Sequence, residues 1–510
     1  MEQKWLRGAR EGNRLEAKLA KGGVPSSVWE TYSAFANTEG GTIVLGATEA
    51  STGELEIVGL PDAEGLLKKL WDGVNNPSKV SANLLSNADI FIEEEDGKRY
   101  LRICVPRASR QLRPVYVAGN QARGTYRRNG EGDYHCSTEE IAAMVRDASM
   151  SPLDALVLPE FDLEALNRDS VNRFRSVMEA VRPNHPWLQL GFEEFLIRLN
   201  AAGRIGGEGR IRPTRAGLLM FGYEFEIVRE YPEYFLDYRE MGGRTRWRDR
   251  LVSNDGTWGG GVFDFWSLVL PRLSAGIKRP FELDESLRRV EDTDMHAAVR
   301  EVLVNSLVHS DYYGRRGVVV RRFADKIEIE NPGSLRIALD VMVAGGVSDA
   351  RNPTLMKMFG LINACEKAGS GFDVMRRAAI EAQALPPLAE ECFGPDRVTV
   401  TMYLGSTAAE NGVPLSTPGE EGPTEAAIRS KTHVVGLFST QGGLGDFTKD
   451  ERVVLQMARA EKQFSRKDVE KLLSCGPTKA KSIVSALLQK NVIVSKGAGR
   501  SIRYSVIEVL

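Results

Sequence analysis

The stretch Arg300-Glu301-Val302-Leu303-Val304-Asn305-Ser306-Leu307-Val308-His309-Ser310-Asp311-Tyr312 constrains this chain more than any other. With Ala297, Leu303, Leu307 and Val308 as apolar positions it predicts a helix. Glu301, Asn305 and His309 recur every four residues, which stacks them along one face at successive turns. A carboxylate one turn from a carboxamide suits phosphate chemistry: the Asn305 carbonyl oxygen is a ligand for a hard cation, and Glu301 is placed to orient a water toward phosphorus. The alternative reading is a solvated helical face.

The next seventy residues narrow the choice. Val318 to Phe323 and Lys326 to Glu330 alternate as two short strands around a turn at Ala324-Asp325, and the second runs straight into Asn331-Pro332-Gly333. Arg351-Asn352-Pro353 comes next, and Gly369-Ser370-Gly371 then opens a second helix, from Phe372 to about Glu381. Glycines ahead of a helix let backbone amides approach phosphates, and the helix N-terminus favours their negative charge.

That ordered set resembles the GHKL ATPase fold of gyrase, MutL and the histidine kinases, in the divergent branch found in bacterial RecG-like or Schlafen-like regulators. The resemblance implies ATP and Mg2+ as ligands, with Glu301 as the water-activating base, Asn305 as the magnesium ligand, and His309, Gly333, Gly369 and Gly371 around the nucleotide. Asn331 takes the place of the usual adenine-reading Asp, Leu335 that of a usual glycine, and Ser310 that of a usual Arg. The expectation is therefore nucleotide binding with weak hydrolysis. No Gly-x-x-x-x-Gly-Lys-Ser/Thr phosphate loop occurs, which argues against a helicase motor.

Length allows three to four domains in 510 residues. Hydrophobic and charged contents of 42% and 27% are those of ordinary globular protein. A net charge of −2 excludes a uniformly basic coat, so any contact with nucleic acid must be regional. No apolar run has the length needed to span a bilayer, and Met1-Glu2-Gln3-Lys4-Trp5 opens no signal-peptide core. The five cysteines, Cys104, Cys136, Cys365, Cys392 and Cys475, are scattered and odd in number, which fits reduced thiols, a cytoplasmic location and no structural zinc.

Residues 1–147 read as a separate module. Glu11 to Lys18 leads into a helix, Ser27 to Asn37, closed by the turn Asn37-Thr38-Glu39-Gly40-Gly41; a buried strand comes after it from Thr42 to Ala47, and two more from Asp89 to Ile92 and Arg99 to Val105. Ser137 with Glu140 three residues on is a capping box. The pattern Glu11-x4-Glu16-x-Lys18, Ala34 to Gly41, Tyr126-x-Arg128-x-Gly130 and a capped helix resembles the Schlafen AlbA-type domain. The resemblance implies nucleic-acid binding and, as in the animal relatives, a metal-dependent RNase whose three carboxylates fall at Glu11, Glu16 and Glu49, with Mg2+ or Mn2+. The alternative is an acidic strand edge paired with Lys18. A basic cluster, Arg99, Arg102, Arg107, Arg110, Arg113, Arg123, Arg127 and Arg128, suits phosphate contact, with Arg127 and Arg128 foremost and Tyr116 and Tyr126 placed to stack bases.

Helices are read around Val171 to Val181 and Phe192 to Ala201, and the resemblance to the divergent GHKL branch implies a small winged-helix-like linker domain over 148–225. The ATPase-type domain would span 226–404, with Trp247, Trp258 and Trp266 as packing residues. A Pro/Gly-rich linker covers 405–445. Beyond it, helical segments at Lys449 to Glu461, Ser465 to Leu473 and Thr478 to Lys490, then a Gly-containing hairpin, predict a winged helix over 446–510. Residues 451–510 hold twelve Lys and Arg against five Asp and Glu. Lys479 and Lys481 sit early on the second of the paired helices, and Arg500 and Arg503 in the wing. Contact with nucleic acid and dimerisation are the two uses open to it.

The sequence thus reads as an α/β (α+β) multidomain protein with no membrane segment, expected to form a homo-oligomer. Three functions stay open: an ATP-switched nucleic-acid binder in transcription regulation or antiviral defence, an ATP-gated Schlafen-like RNase, and a nucleotide-gated assembly protein.

Overall fold

The computed structural model describes Leu6 and residues 8–206, 209–242, 246–277, 293–365 and 371–405, then 433–434, 454, 464–473, 476–489, 493–496 and 503–506. Two compact units emerge, Met1–Leu153 with Arg336–Ala338, and Asp154–Leu335 with Leu339–Leu510.

In the first unit the strands β1 (Leu15–Lys18), β2 (Gly41–Leu45), β3 (Ile90–Glu95) and β4 (Lys98–Val105) form a sheet in the order β1-β2-β4-β3, with β1 parallel to β2 and the other pairs antiparallel. The helix α1 (Ser27–Asn37) packs on it through Val28, Trp29, Tyr32, Phe35 and Ala36, all in the same apolar cluster as Ile43, Leu45, Leu101 and Ile103. Its abrupt end explains the glycine pair. A Cβ on Gly40, at φ +75°, would lie 2.8 Å from the Val105 carbonyl oxygen, and one on Gly41 would lie 2.8 Å from the Phe35 ring. Only glycine lets the chain turn that closely. Asn37 is fully buried and fully used: its Nδ2 donates to the carbonyls of Val115 (2.7 Å) and Tyr126 (3.0 Å), and its Oδ1 accepts from the Val115 N–H (2.8 Å). The hairpin β5 (Tyr126–Asn129) and β6 (Gly132–His135) is held there, followed by α2 (Thr138–Ala148), whose capping box joins Ser137 and Glu140.

The second unit is built on a seven-stranded sheet. Its strands are β7 (Leu236–Glu240), β8 (Asp249–Val252), β9 (Val318–Arg322), β10 (Lys326–Pro332), β11 (Leu388–Cys392), β12 (Arg397–Tyr403) and the short His433–Val434. The order is β8-β7-β9-β10-β12-β11 and then His433–Val434; only β7 and β9 run parallel. Alternation sorts the faces. Tyr238, Val320, Ile329 and Met402 join the core, while Arg239, Arg321, Glu328 and Glu330 share the opposite face.

Four helices of this unit matter for the site: α3 (Val262–Ser274), α4 (Asp294–His309), α5 (Pro353–Leu361) and α6 (Gly371–Glu381). Along α4, Ala298, Val299, Val302, Leu303, Val304, Leu307 and Val308 are all buried. A helix apolar nearly all round must pack on several sides, and α4 meets α3, α5, α6 and β10. The start of α5 is capped from far away: Asp154, 2% exposed, accepts from the N–H groups of Thr354 (2.7 Å) and Leu355 (3.1 Å). Burial pushes the Asp154 carboxyl up, opposed by those same donors.

Near the carboxyl terminus, α7 (Arg466–Leu472) and α8 (Pro477–Gln489) are followed by β13 (Ile493–Lys496) paired antiparallel with β14 (Arg503–Val506). Val454, Phe464, Val469, Ala480, Ile483, Val484 and Leu487 make a small core of their own. The linker expected over 405–445 lies almost wholly outside the described residues.

Candidate nucleotide site and the amino-terminal carboxylates

The predicted polar stripe of α4 is not a solvated face. Glu301 is only 9% exposed, and Asn305 Nδ2 donates to its Oε1 at 3.1 Å. The first residue of α6 closes over the pair. A Cβ on Gly371 would come within 2.5 Å of Asn305 Nδ2 and 3.1 Å of Glu301 Oε1, so the bare glycine lets α6 start against the pair without displacing the Asn305 amide. With its amide nitrogen turned to Glu301, the Asn305 carbonyl oxygen accepts no bond from a described residue. That free acceptor beside a carboxylate fits the donor set expected for a hard cation. His309 lies one turn further and is half-buried. Gly369 falls outside the described residues.

Asn331 ends β10 at 4% exposure. Its Nδ2 donates to the neighbouring Pro332 carbonyl (3.4 Å), and its Oδ1 accepts nothing from the described residues, so an acceptor is left for an amino group. Gly333 also makes room for an arginine. It sits at φ +102°, and a Cβ there would meet Arg351 Nη1 at 2.6 Å. Arg351 donates to the carbonyls of His309 and of Ser334 (2.8 Å), while Asn352 Nδ2 donates to those of Val308 (3.2 Å) and Ser310 (2.8 Å). The Asn-Pro-Gly and Arg-Asn-Pro motifs thus clasp each other and tie the end of α4 to the end of β10. Ser310 turns back on its own helix, its hydroxyl donating to the Ser306 carbonyl at 2.6 Å.

Behind this clasp lies a buried ion cluster. Glu330 accepts from Arg321 (3.1 Å) and from Arg397, which is 4% exposed and also donates to the carbonyls of Arg315 (2.7 Å) and Gly317 (2.8 Å). Burial alone would raise the Glu330 carboxyl, but Arg397 and Arg321 outweigh it and hold it below the usual carboxylate range.

In the amino-terminal unit the three carboxylates predicted for a nuclease lie within electrostatic reach of one another, two of them already engaged by neighbouring groups. Glu16 is 9% exposed and paired twice, with Lys18 (2.8 Å) and Arg128 (2.6 Å). Glu11 Oε1 accepts the Ala17 N–H at 2.9 Å. Its carboxyl is pushed up, first by burial and then by the nearby charges of Glu16 and Glu49, against the pull of the Ala17 N–H and Arg128. Glu49 is exposed. Among the described residues no three His, Cys, Asp or Glu are grouped so as to hold a metal ion.

Arg127 and Arg128 lie inside rather than on the surface. Arg127 is 5% exposed and pairs with Glu140 (3.2 Å); Arg128 is 4% exposed and binds Asp133 (2.9 Å), the Gly12 carbonyl (2.9 Å) and Glu16. The Glu16 and Gly12 partners of Arg128 lie more than a hundred residues away in the chain, which the local charge run conceals. Of the other cluster members, Arg99 pairs with Glu64 (2.6 Å), Arg102 with Glu93 (2.7 Å), and Arg110 bonds the Asp147 carbonyl (2.7 Å). Arg123 stays exposed. At the carboxyl end Lys479 and Lys481 are exposed on α8. Arg503 is on β14 opposite Lys496, its side chain undescribed, and Arg500 lies outside the described residues.

Comparison with known proteins finds matches to family models in three stretches of the chain. Residues 11–137 match the family model "Schlafen, AlbA_2", and residues 316–402 match "Putative ATP-dependent DNA helicase recG C-terminal". The chain joins a Schlafen AlbA_2 domain to a RecG C-terminal-type domain. Between them, residues 142–237 match a domain of unknown function, DUF8451.

Two solved structures are similar. The DIP2311 protein from Corynebacterium diphtheriae is 16% identical over 99% of this chain and 98% of its own, at a TM-score of 0.37. The N-terminal domain of a RecG-related protein from Nitrosomonas europaea is 32% identical over 26% of this chain and 88% of its own, at a TM-score of 0.21. No curated protein matches. Among the described residues no helix is long and apolar enough to cross a membrane, and Cys104, Cys136, Cys365 and Cys392 form no disulfide with one another.

Proposed function

We propose that this protein binds ATP with Mg2+ within residues 296–372, a span that runs into its RecG C-terminal-type region at 316–402, and uses that nucleotide to change its hold on nucleic acid. The observation that carries the reading is the Glu301–Asn305 pair packed against Gly371, the first residue of α6, with the Asn305 carbonyl oxygen left over. Asn305 would hold the metal, Asn331 would read the adenine amino group, and Glu301, kept in place by the Asn305 amide, would orient a water. The bound cation would supply charge neutralisation at the phosphates. Glu301 is also tied to Asn305, which favours binding with slow turnover.

Nucleic acid is the partner suggested by the Schlafen AlbA_2 match and by the carboxyl-terminal segment, which we read as a winged helix over 446–510 with Lys479, Lys481, Arg500 and Arg503 toward phosphates. The amino-terminal unit is read as a binder rather than an RNase. Arg128 and Lys18 already neutralise Glu16, which commits one of the three carboxylates to ion pairs in place of a metal. Homo-oligomerisation and a cytoplasmic location belong to the same proposal. The test is reciprocity. Nucleic-acid affinity measured with and without Mg-ATP should change by the same factor as ATP affinity measured with and without nucleic acid. Affinities that ignore each other contradict the coupling.

A further inference from the structure

The β7–β8 hairpin carries arginines that neither the nucleotide site nor the amino-terminal unit uses. Its sequence is Arg244-Thr245-Arg246-Trp247-Arg248-Asp249-Arg250, described from Arg246 onward. β8 is the edge strand of the sheet. In register, Arg239 on β7 stands opposite Arg250 on one side and Arg321 on the other. Like charges directly opposite each other destabilise a sheet, so this row is held against its own repulsion.

What holds it is a buried carboxylate. Asp237, with none of its surface exposed, accepts from Arg239 Nε (2.8 Å) and Nη2 (2.5 Å) and from Arg250 Nε (3.1 Å) and Nη2 (3.2 Å). One negative charge serves two guanidinium groups and leaves the pair positive. The guanidinium carbons of Arg250, Arg246 and Arg239 lie 4.9, 5.3 and 5.9 Å from the centroid of the Trp247 ring, which is half-buried. Arg246, Arg248 and Arg250 are exposed. Asp249, the acid within the run, is engaged by Arg272 at 2.9 Å. Arg248 has no side-chain partner among the described residues.

Charges on an edge strand also discourage strand pairing between molecules. That need is met by any exposed cation; it calls neither for a buried acid that orients two arginines nor for a tryptophan set among three. Forked donors beside an aromatic ring are the combination that grips a nucleic-acid strand, phosphates on the guanidinium groups and a base on the ring. We infer that the β7–β8 hairpin is a nucleic-acid contact surface, with phosphates on Arg246, Arg248 and Arg250 and a base against Trp247. It rests on the nucleic-acid reading above and adds to it a contact within the ATPase-type unit.

The full chain is titrated with 20-nucleotide oligo(dT) and oligo(U) across a salt series, comparing wild type with the double variant Arg246→Gln/Arg248→Gln, with Trp247→Ala and with Trp247→Phe. Releasing two phosphates should lower the log–log salt slope by about 1.4 on single strands. Trp247→Ala should weaken binding roughly 5- to 150-fold, the range for a base losing its aromatic platform, while Trp247→Phe stays near wild type. Unequal losses on the two probes tell DNA from RNA.

Wild-type affinity and slope in the double variant and Trp247→Ala overturn this surface alone; a wild-type chain that binds neither probe overturns the nucleic-acid reading itself. Trp247→Phe as weak as Trp247→Ala assigns the ring to packing and overturns its role. Unchanged oligonucleotide binding alongside lost binding to phosphatidylserine vesicles overturns the inference in favour of a membrane surface.

Discussion

Replacing Arg128 with Met should damage the amino-terminal unit far more than a surface arginine would. The side chain is 1% exposed and makes charged contacts with Glu16 (2.6 Å) and Asp133 (2.9 Å) besides its bonds to the Gly12 carbonyl. Methionine fills similar space but leaves Glu16 with Lys18 alone and Asp133 with the Thr31 hydroxyl (2.6 Å). Breaking a buried pair from one side costs about 3–5 kcal/mol, because the surviving charge stays buried without its partner. At about 1.36 kcal/mol per decade, that amounts to roughly two to four decades faster exchange at amides that open with the unit. Hydrogen exchange across α1 and β2 reads this without requiring the whole chain to unfold in one step. Arg128→Lys, which keeps the charge and loses the fork, should recover only part of the protection. Exchange in Arg128→Met within a factor of about five of wild type would refute the reasoning. It would return Arg128 to the surface role that its neighbours in sequence suggest.

Three further outcomes rest on the same geometry. Glu330 is held below the usual carboxylate range by Arg397 and Arg321 in spite of burial, so its stabilisation is complete above about pH 4.5 and is lost as pH falls through the depressed value. Glu330→Gln should therefore flatten the acid limb of the second unit's thermal stability and cost about 3–5 kcal/mol at neutral pH; an unchanged acid limb contradicts the assignment. Removing residues 446–510 should weaken nucleic-acid binding and reduce its salt slope by about 0.9 for each phosphate released on duplex DNA; an unchanged slope in filter binding favours dimerisation. With Mn2+ or Mg2+, with or without ATP, structured RNA should remain intact, whereas cutting that disappears in Glu16→Ala would establish the nuclease.

The sequence disclosed most where function and local pattern coincide. The four-residue recurrence of Glu301, Asn305 and His309 located the site helix, and alternation located β9 and β10, because both signals lie within one element. Ser27–Asn37 was legible with its boundaries, since its apolar spacing and the glycine pair that ends it are both written in the local sequence. The hidden features depend on partners distant in the chain. Arg128 and Glu16 are 112 residues apart, so a run of arginines looked like a phosphate surface when its strongest members are internal pairs. Gly333 resembled a nucleotide-binding glycine, yet the space it leaves is taken by Arg351, whose identity as a clasp appears only when α4 and β10 end side by side. Trp247 read as packing because nothing local reveals that Asp237 gathers Arg239 and Arg250 around it.

The most direct test of the nucleotide site is titration calorimetry of the full chain with ATP, with and without Mg2+, for wild type and Asn305→Ala. Alanine removes the free carbonyl oxygen and the amide that holds Glu301, while the apolar surroundings of α4 stay intact. The account predicts Mg-dependent ATP binding in wild type and its loss in Asn305→Ala, with Glu301→Ala still binding but not hydrolysing. Equal ATP affinity in wild type and Asn305→Ala would contradict it.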